Sequence, residues 1–141
     1  FIEDGYTSHT TLVDRHQAMP TQRANTLNNI AGIPNIKLFE MTSSAFADQL
    51  TDAEVDEFDV SWMLIDGSHH YDDVTIDVKL AQRLIGNKAG GIVFDDLNLP
   101  DVRRAYDEFV EAMGHRMSAP YDLFTIHPGN IIGHLIDPVV G

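Results

Sequence analysis

The sequence contains no cysteine. That excludes disulfides and thiolate metal centres, and it fits a reducing compartment, so a cytoplasmic location is expected. Positive charge is scarce. Nine Lys and Arg stand against 22 Asp and Glu, a formal net charge of -13. A surface of that sign repels nucleic acid and anionic membranes, and neither is expected as a partner. Long apolar runs are missing too: no stretch is long enough to cross a bilayer, and none reads as a signal peptide. Internal repeats, low-complexity tracts and domain linkers are also lacking, so residues 1–141 are expected to form a single domain. The acidic excess has two readings. A solvated surface is the commoner one, and carboxylates gathered around a bound cation is the other.

What is present is an alternation of strand and helix patterns. Thr10–Val13 is β-branched and apolar and stops at Asp14, as a short strand does. Residues 20–31 place Ala24, Leu27, Ile30 and Ala31 at helical spacing until Gly32 ends the run. Asn35–Glu40 alternates as a second strand. Thr42-Ser43-Ser44 caps a short helix over 45–50, and an acidic loop is expected to follow through Glu57. Asp59–Ile65 reads as a third strand with Trp62 in the core. Asp72–Leu84 is the clearest helix, with Val74, Val78, Ala81 and Ile85 on one face. Gly91–Phe94 is the fourth strand, and Pro100 opens a helix that runs to Met113. Two strand-like runs, 121–127 and 131–136, flank Pro128-Gly129-Asn130, a turn that allows only an antiparallel hairpin. The order β-α-β-α-β-α-β-α-β-β predicts an α/β fold with a doubly wound, mostly parallel sheet and that hairpin at its C-terminal end. Phe1-Ile2-Glu3-Asp4-Gly5 reads as the last turn of a helix closed by glycine, so a truncated N-terminus is expected.

The chemistry collects where two strands end. The third stops at Asp66-Gly67-Ser68-His69-His70-Tyr71 and the fourth at Asp95-Asp96. In open α/β sheets, ligands gather at the carboxyl ends of strands, and adjacent strands lie about 5 Å apart. The three carboxylates would then converge, repel, and suit a hard divalent cation, Mg²⁺ or Ca²⁺. The plainer reading makes Asp66 and Asp95 turn formers and Asp96 a solvated acid. His69 is placed to act as a general base, since imidazole titrates near neutrality. His70 reads as a surface residue. A zinc site built from the histidine pair and Asp66 would lack a third histidine at suitable spacing. Asp14, at the first strand end, is placed to accept hydrogen bonds from ribose hydroxyls.

These residues resemble a known pattern. Phe58-Asp59-Val60, Leu64-Ile65-Asp66-Gly67-Ser68-His69-His70-Tyr71 and Gly90-Gly91-Ile92-Val93-Phe94-Asp95-Asp96 look like one branch of the class I S-adenosylmethionine-dependent methyltransferases. It is the branch that contains the macrocin-type sugar O-methyltransferases. The helix beginning Pro100-Asp101-Val102-Arg103-Arg104-Ala105 and the segment from Thr11 to Ile36 are similar as well, so most of residues 10–136 is covered. The resemblance implies a Rossmann-like fold, S-adenosylmethionine as methyl donor, and a small hydroxylated metabolite or sugar as substrate. It implies Asp66, Asp95 and Asp96 as ligands of Mg²⁺, and His69 as base for the acceptor hydroxyl. Asp14, Ser43 and Asp66 would contact the donor, Asp14 at its ribose. Thr42-Ser43 stands where the family often has an acidic residue near the adenine. The family's first strand and glycine-rich turn should precede Asp14 by a strand and a helix, but only thirteen residues precede it.

Two other functions are open to the sequence. A truncated or degenerate domain would keep the fold without the activity, and its unpaired strand edges would favour association into a homo-oligomer. A receiver-like module also uses three carboxylates and Mg²⁺ at a sheet edge. Receivers place the acid pair before the lone phosphoacceptor and a lysine after it; here Asp66 comes first and no lysine follows Lys88.

Overall fold

The computed structural model describes residues 10–13, 20–33, 36–124 and 126–140. They fall into two compact units, one up to Gln49 and one from Leu50 onward.

In the first unit, β1 (Thr10–Val13) and β2 (Ile36–Phe39) pair in parallel through the helix α1 (Pro20–Ile30). Both strands and the helix lie where the hydrophobic pattern predicts them, within a residue or two. Arg23 on α1 forms an ion pair with Glu40, just past β2. The helix α2 (Ser43–Gln49) starts at Thr42, whose hydroxyl accepts from the Ala45 N–H at 3.1 Å. Its buried Phe46 meets Phe39 edge to face.

The second unit opens with a helix where the sequence suggested a loop. α3 (Asp52–Phe58) is closed by a capping box, with the Thr51 hydroxyl on the Glu54 N–H and the Glu54 carboxylate on the Thr51 N–H. Two backbone donors at the start of the helix are thereby satisfied, a local signal strong enough to overcome the acidic composition. Arg83 ties this helix down by donating to the Leu50 carbonyl and the Asp52 carboxylate. Asp59 then takes a left-handed conformation, φ 45°, so the next strand cannot begin there. It begins at Trp62 instead.

Four strands form the sheet of this unit: β3 (Trp62–Ile65), β4 (Gly90–Phe94), β5 (Tyr121–Asp122) and β6 (Ile132–Ile136), in the order β3-β4-β6-β5. β3 and β4 are parallel, joined by α4 (Tyr71–Ile85); α5 (Pro100–Met113) follows β4. β6 is antiparallel to both its neighbours, which makes β5–β6 the predicted hairpin. β5 is shorter than expected because the Asp122 carboxylate accepts from the Phe124 and Gly129 N–H groups and turns the chain.

α4 and α5 cover one face of the sheet. There Ile65, Ile92, Phe94, Ile132 and Ile136 meet Val74, Val78, Val102, Tyr106 and Phe109 in a continuous core. His134 is buried on the same face, its Nε2 2.7 Å from the Tyr106 hydroxyl and its Nδ1 3.0 Å from the Ser118 carbonyl. On the opposite face, β3 is exposed within this unit among the described residues. Trp62 is 61% and Leu64 is 64% exposed, which corrects the placement of Trp62 in the core. An apolar strand residue is buried only if something packs on its face, and β3 alternates one covered face with one exposed one. Two glycines let β3 and β4 approach. A Cβ on Gly90 would lie 2.1 Å from the Ser61 carbonyl oxygen, and one on Gly91 would lie 2.3 Å from the Trp62 ring.

Candidate metal and methyl-transfer site

β3 and β4 run level, with Ile65 opposite Phe94, so the residues that follow them emerge side by side. The Asp95 N–H extends the ladder one step by donating to the Ile65 carbonyl at 3.1 Å. As a result, carboxylate oxygens of Asp66, Asp95 and Asp96 all lie within 4.8 Å of one another. The structure thus brings together the three acids that the strand ends suggested. Their crowding has an electrostatic consequence. The Asp66 carboxyl is held above its ordinary pKa, first because the strand tips strip water from it, then because Asp95 and Asp96 repel its charge; His69 offsets part of this.

The turn after β4 sets the direction of Asp96. This residue has φ 59°, in the left-handed region that Asp tolerates better than most side chains. Its N–H donates to Asp95 Oδ1 at 2.6 Å and its carbonyl accepts from the Leu99 N–H at 3.0 Å. Leu97, between them, is buried in the core. In this conformation Asp96 Oδ2 lies 2.9 Å from His69 Nε2.

His69 lies on the loop between β3 and α4. Ser68 stiffens that loop by donating to Asp73 at 2.7 Å and accepting from the His70 N–H at 3.2 Å. The His69 side chain is 57% exposed, and among the described residues its Nδ1 has no partner. His70 is exposed and caps α4 through its backbone only, as its reading as a surface residue expected. Tyr71, the first residue of α4, packs against the core and donates to Glu108, while Arg104 lies 3.9 Å over its ring.

A shallow depression, open to solvent, is bounded by Asp66, His69, Asp95 and Asp96 with Ile65 and Val102 beneath, and it encloses no volume that would hold a whole organic ligand. The three clustered donors, Asp66, Asp95 and Asp96, are all oxygen and carry formal negative charge, which fits a hard divalent cation. Of the three predicted donor contacts, Asp66 borders the depression. Ser43 opens α2 in the first unit and is half-buried, and Asp14 lies outside the described residues.

The pattern did not reveal what supports the turn after β4. Asn130, in the β5–β6 turn, accepts from the Leu97 N–H with its backbone carbonyl (3.1 Å) and from the Asn98 N–H with its side-chain oxygen (3.3 Å). Nothing local in the sequence pairs residues more than thirty positions apart.

No curated protein matches the chain. A family model described as a methyltransferase domain matches residues 2–97, more than half of the 141, and its span reaches just past Asp96. Methyltransferase domains typically use S-adenosylmethionine, and the chain belongs to the methyltransferase-domain family.

Proposed function

We propose that this protein is an S-adenosylmethionine-dependent O-methyltransferase of the macrocin-type branch, assisted by Mg²⁺ and acting on a small hydroxylated metabolite or sugar. The observation that carries the reading is the convergence of three carboxylates beside a histidine that is hydrogen-bonded to one of them. Family membership supports methyl transfer, and the all-oxygen acid cluster favours an oxygen acceptor aided by a hard cation. On this reading the domain is a doubly wound Rossmann-like unit of the cytoplasm.

Asp66, Asp95 and Asp96 would hold the ion, which when bound supplies a Lewis acid that lowers the pKa of an acceptor hydroxyl. His69 takes the hydroxyl proton at Nδ1. Asp96 accepts the Nε2–H, keeps the ring in that tautomer, and stabilises the imidazolium that forms. Asp66, Ser43 and Asp14 are the proposed contacts to the donor, whose sulfonium charge suits an acidic surround.

Isothermal titration tests both ligands. Mg²⁺ is expected to bind the wild-type chain and to be lost in Asp66→Asn and Asp95→Asn. S-adenosylmethionine is expected to bind with Mg²⁺ present. An absence of heat from either ligand refutes the proposal.

A further inference from the structure

The acids at the strand tips are aimed by the turn that leads into the neighbouring strand β6, and the geometry points to Asn130 as the positioning residue of the site. This rests on the reading of Asp66, His69, Asp95 and Asp96 as the working groups, and adds a residue to which that reading gives no role.

The turn after β4 has to place a non-glycine residue at φ 59°, a conformation that persists only where the surroundings over-determine it. Those surroundings can be named. On one side of Asp96, its own N–H is taken by Asp95. On the other, the next two N–H groups, of Leu97 and Asn98, are both taken by Asn130, one by its backbone carbonyl and one by its side-chain oxygen. One residue therefore satisfies two consecutive donors of the turn that carries Asp96.

Asn130 is itself fixed. Its N–H donates to the His127 carbonyl at 3.2 Å, and the Gly129 N–H before it donates to Asp122 Oδ2 at 2.8 Å. Gly129 stands at φ 83°, with no atom within 4 Å of where a Cβ would be. Glycine is needed there for the backbone conformation and not for space. A continuous series of hydrogen bonds thus runs from Asp122 through the Gly129-Asn130 turn to the Leu97 and Asn98 amides. From there the covalent turn leads to Asp96, whose carboxylate meets His69 at 2.9 Å. Without Asn130 the turn after β4 would keep its buried Leu97 anchor but lose the restraint on its outer half, and the Asp96 carboxylate would no longer be confined to His69 and the ion site.

The test compares the 141-residue wild type with Asn130→Ala, Asn130→Asp and Gly129→Ala. Asn130→Ala removes the side-chain acceptor, Asn130→Asp restores one, and Gly129→Ala displaces the backbone carbonyl by straining its turn. Two readouts are followed: the NMR resonances of the His69 ring without any metal ion, and Mn²⁺ affinity by electron paramagnetic resonance. Asn130→Ala and Gly129→Ala are expected to shift the His69 signals. They are also expected to weaken Mn²⁺ binding about fivefold, the factor that one neutral hydrogen bond of ordinary strength controls. Asn130→Asp is expected to keep both near wild type. Unchanged His69 signals in both weakened variants would overturn the inference, as would an Asn130→Asp chain that behaves like Asn130→Ala. If the wild type binds no Mn²⁺, the cation reading fails, and the His69 signals alone decide the role of Asn130.

Discussion

Replacing Asp66 by Asn is expected to stabilise the metal-free protein, an unusual direction for a substitution at a working group. Carboxylate oxygens of Asp66, Asp95 and Asp96 lie within 4.8 Å of one another. At that separation two unit charges repel by about 1 kcal/mol in a water-like medium. Asp66 faces two such neighbours, while His69 and added salt, with a Debye length of about 8 Å at physiological strength, reduce the sum. The relief on neutralising Asp66 is then about 1 kcal/mol, equivalent to a rise of about 3 °C in the midpoint of thermal unfolding. The pH dependence has a definite sign. The folded pKa of Asp66 is raised above its ordinary 3.8, so ionisation is harder in the folded than in the unfolded chain. The stability it contributes is greatest below 3.8, falls as pH rises through the raised folded value, and stays reduced above it. Thermal unfolding in EDTA across that range is expected to show the fall in wild type and to lack it in Asp66→Asn. Saturating Mg²⁺ reverses the ranking, since a ligand at one hundred times its Kd stabilises by about 2.7 kcal/mol, and only the wild type gains it. An Asp66→Asn chain less stable than wild type in EDTA at neutral pH would refute the repulsion argument.

Three further outcomes follow from the packing. Gly90→Ala is expected to cost about 2–3 kcal/mol in urea unfolding, because its Cβ meets the Ser61 backbone oxygen at 2.1 Å and the strand pair has to move. Thr51→Ala is expected to cost about 1 kcal/mol, since it removes the hydroxyl that caps α3; Thr51→Ser, which keeps that oxygen, is expected to recover most of it. Trp62, the single tryptophan, is expected to show red-shifted fluorescence fully quenched by acrylamide, because it lies on the exposed face of β3 within its unit. A blue-shifted, protected emission would show that face to be covered.

Most of the elements were legible along the chain. Pro100–Met113 is marked at its start by proline and along its length by apolar residues at helical spacing, and it forms over that span. The two apolar runs ending in Asp66 and Asp95-Asp96 became adjacent parallel strands, as strand-length apolar runs joined by a helix do. α3 was also written in the sequence. Thr51 and Glu54 stand at capping-box spacing, but the acidic run around them read as a loop.

Other features belong to the tertiary structure alone. Whether Trp62 is buried depends on what covers one face of β3, and strand periodicity says which residues share a face without saying which face is covered. The bond between His69 and Asp96, 27 positions apart, exists because Asp96 adopts a left-handed turn. That turn is held in part by Asn130, 34 positions further on. The sequence by itself determined which side chains stand at the strand tips, because local periodicity and turn chemistry decide where a strand stops. Only the tertiary structure decided how those side chains point, because their direction is set by hydrogen bonds closed between the ends of neighbouring strands, by residues that no local rule connects.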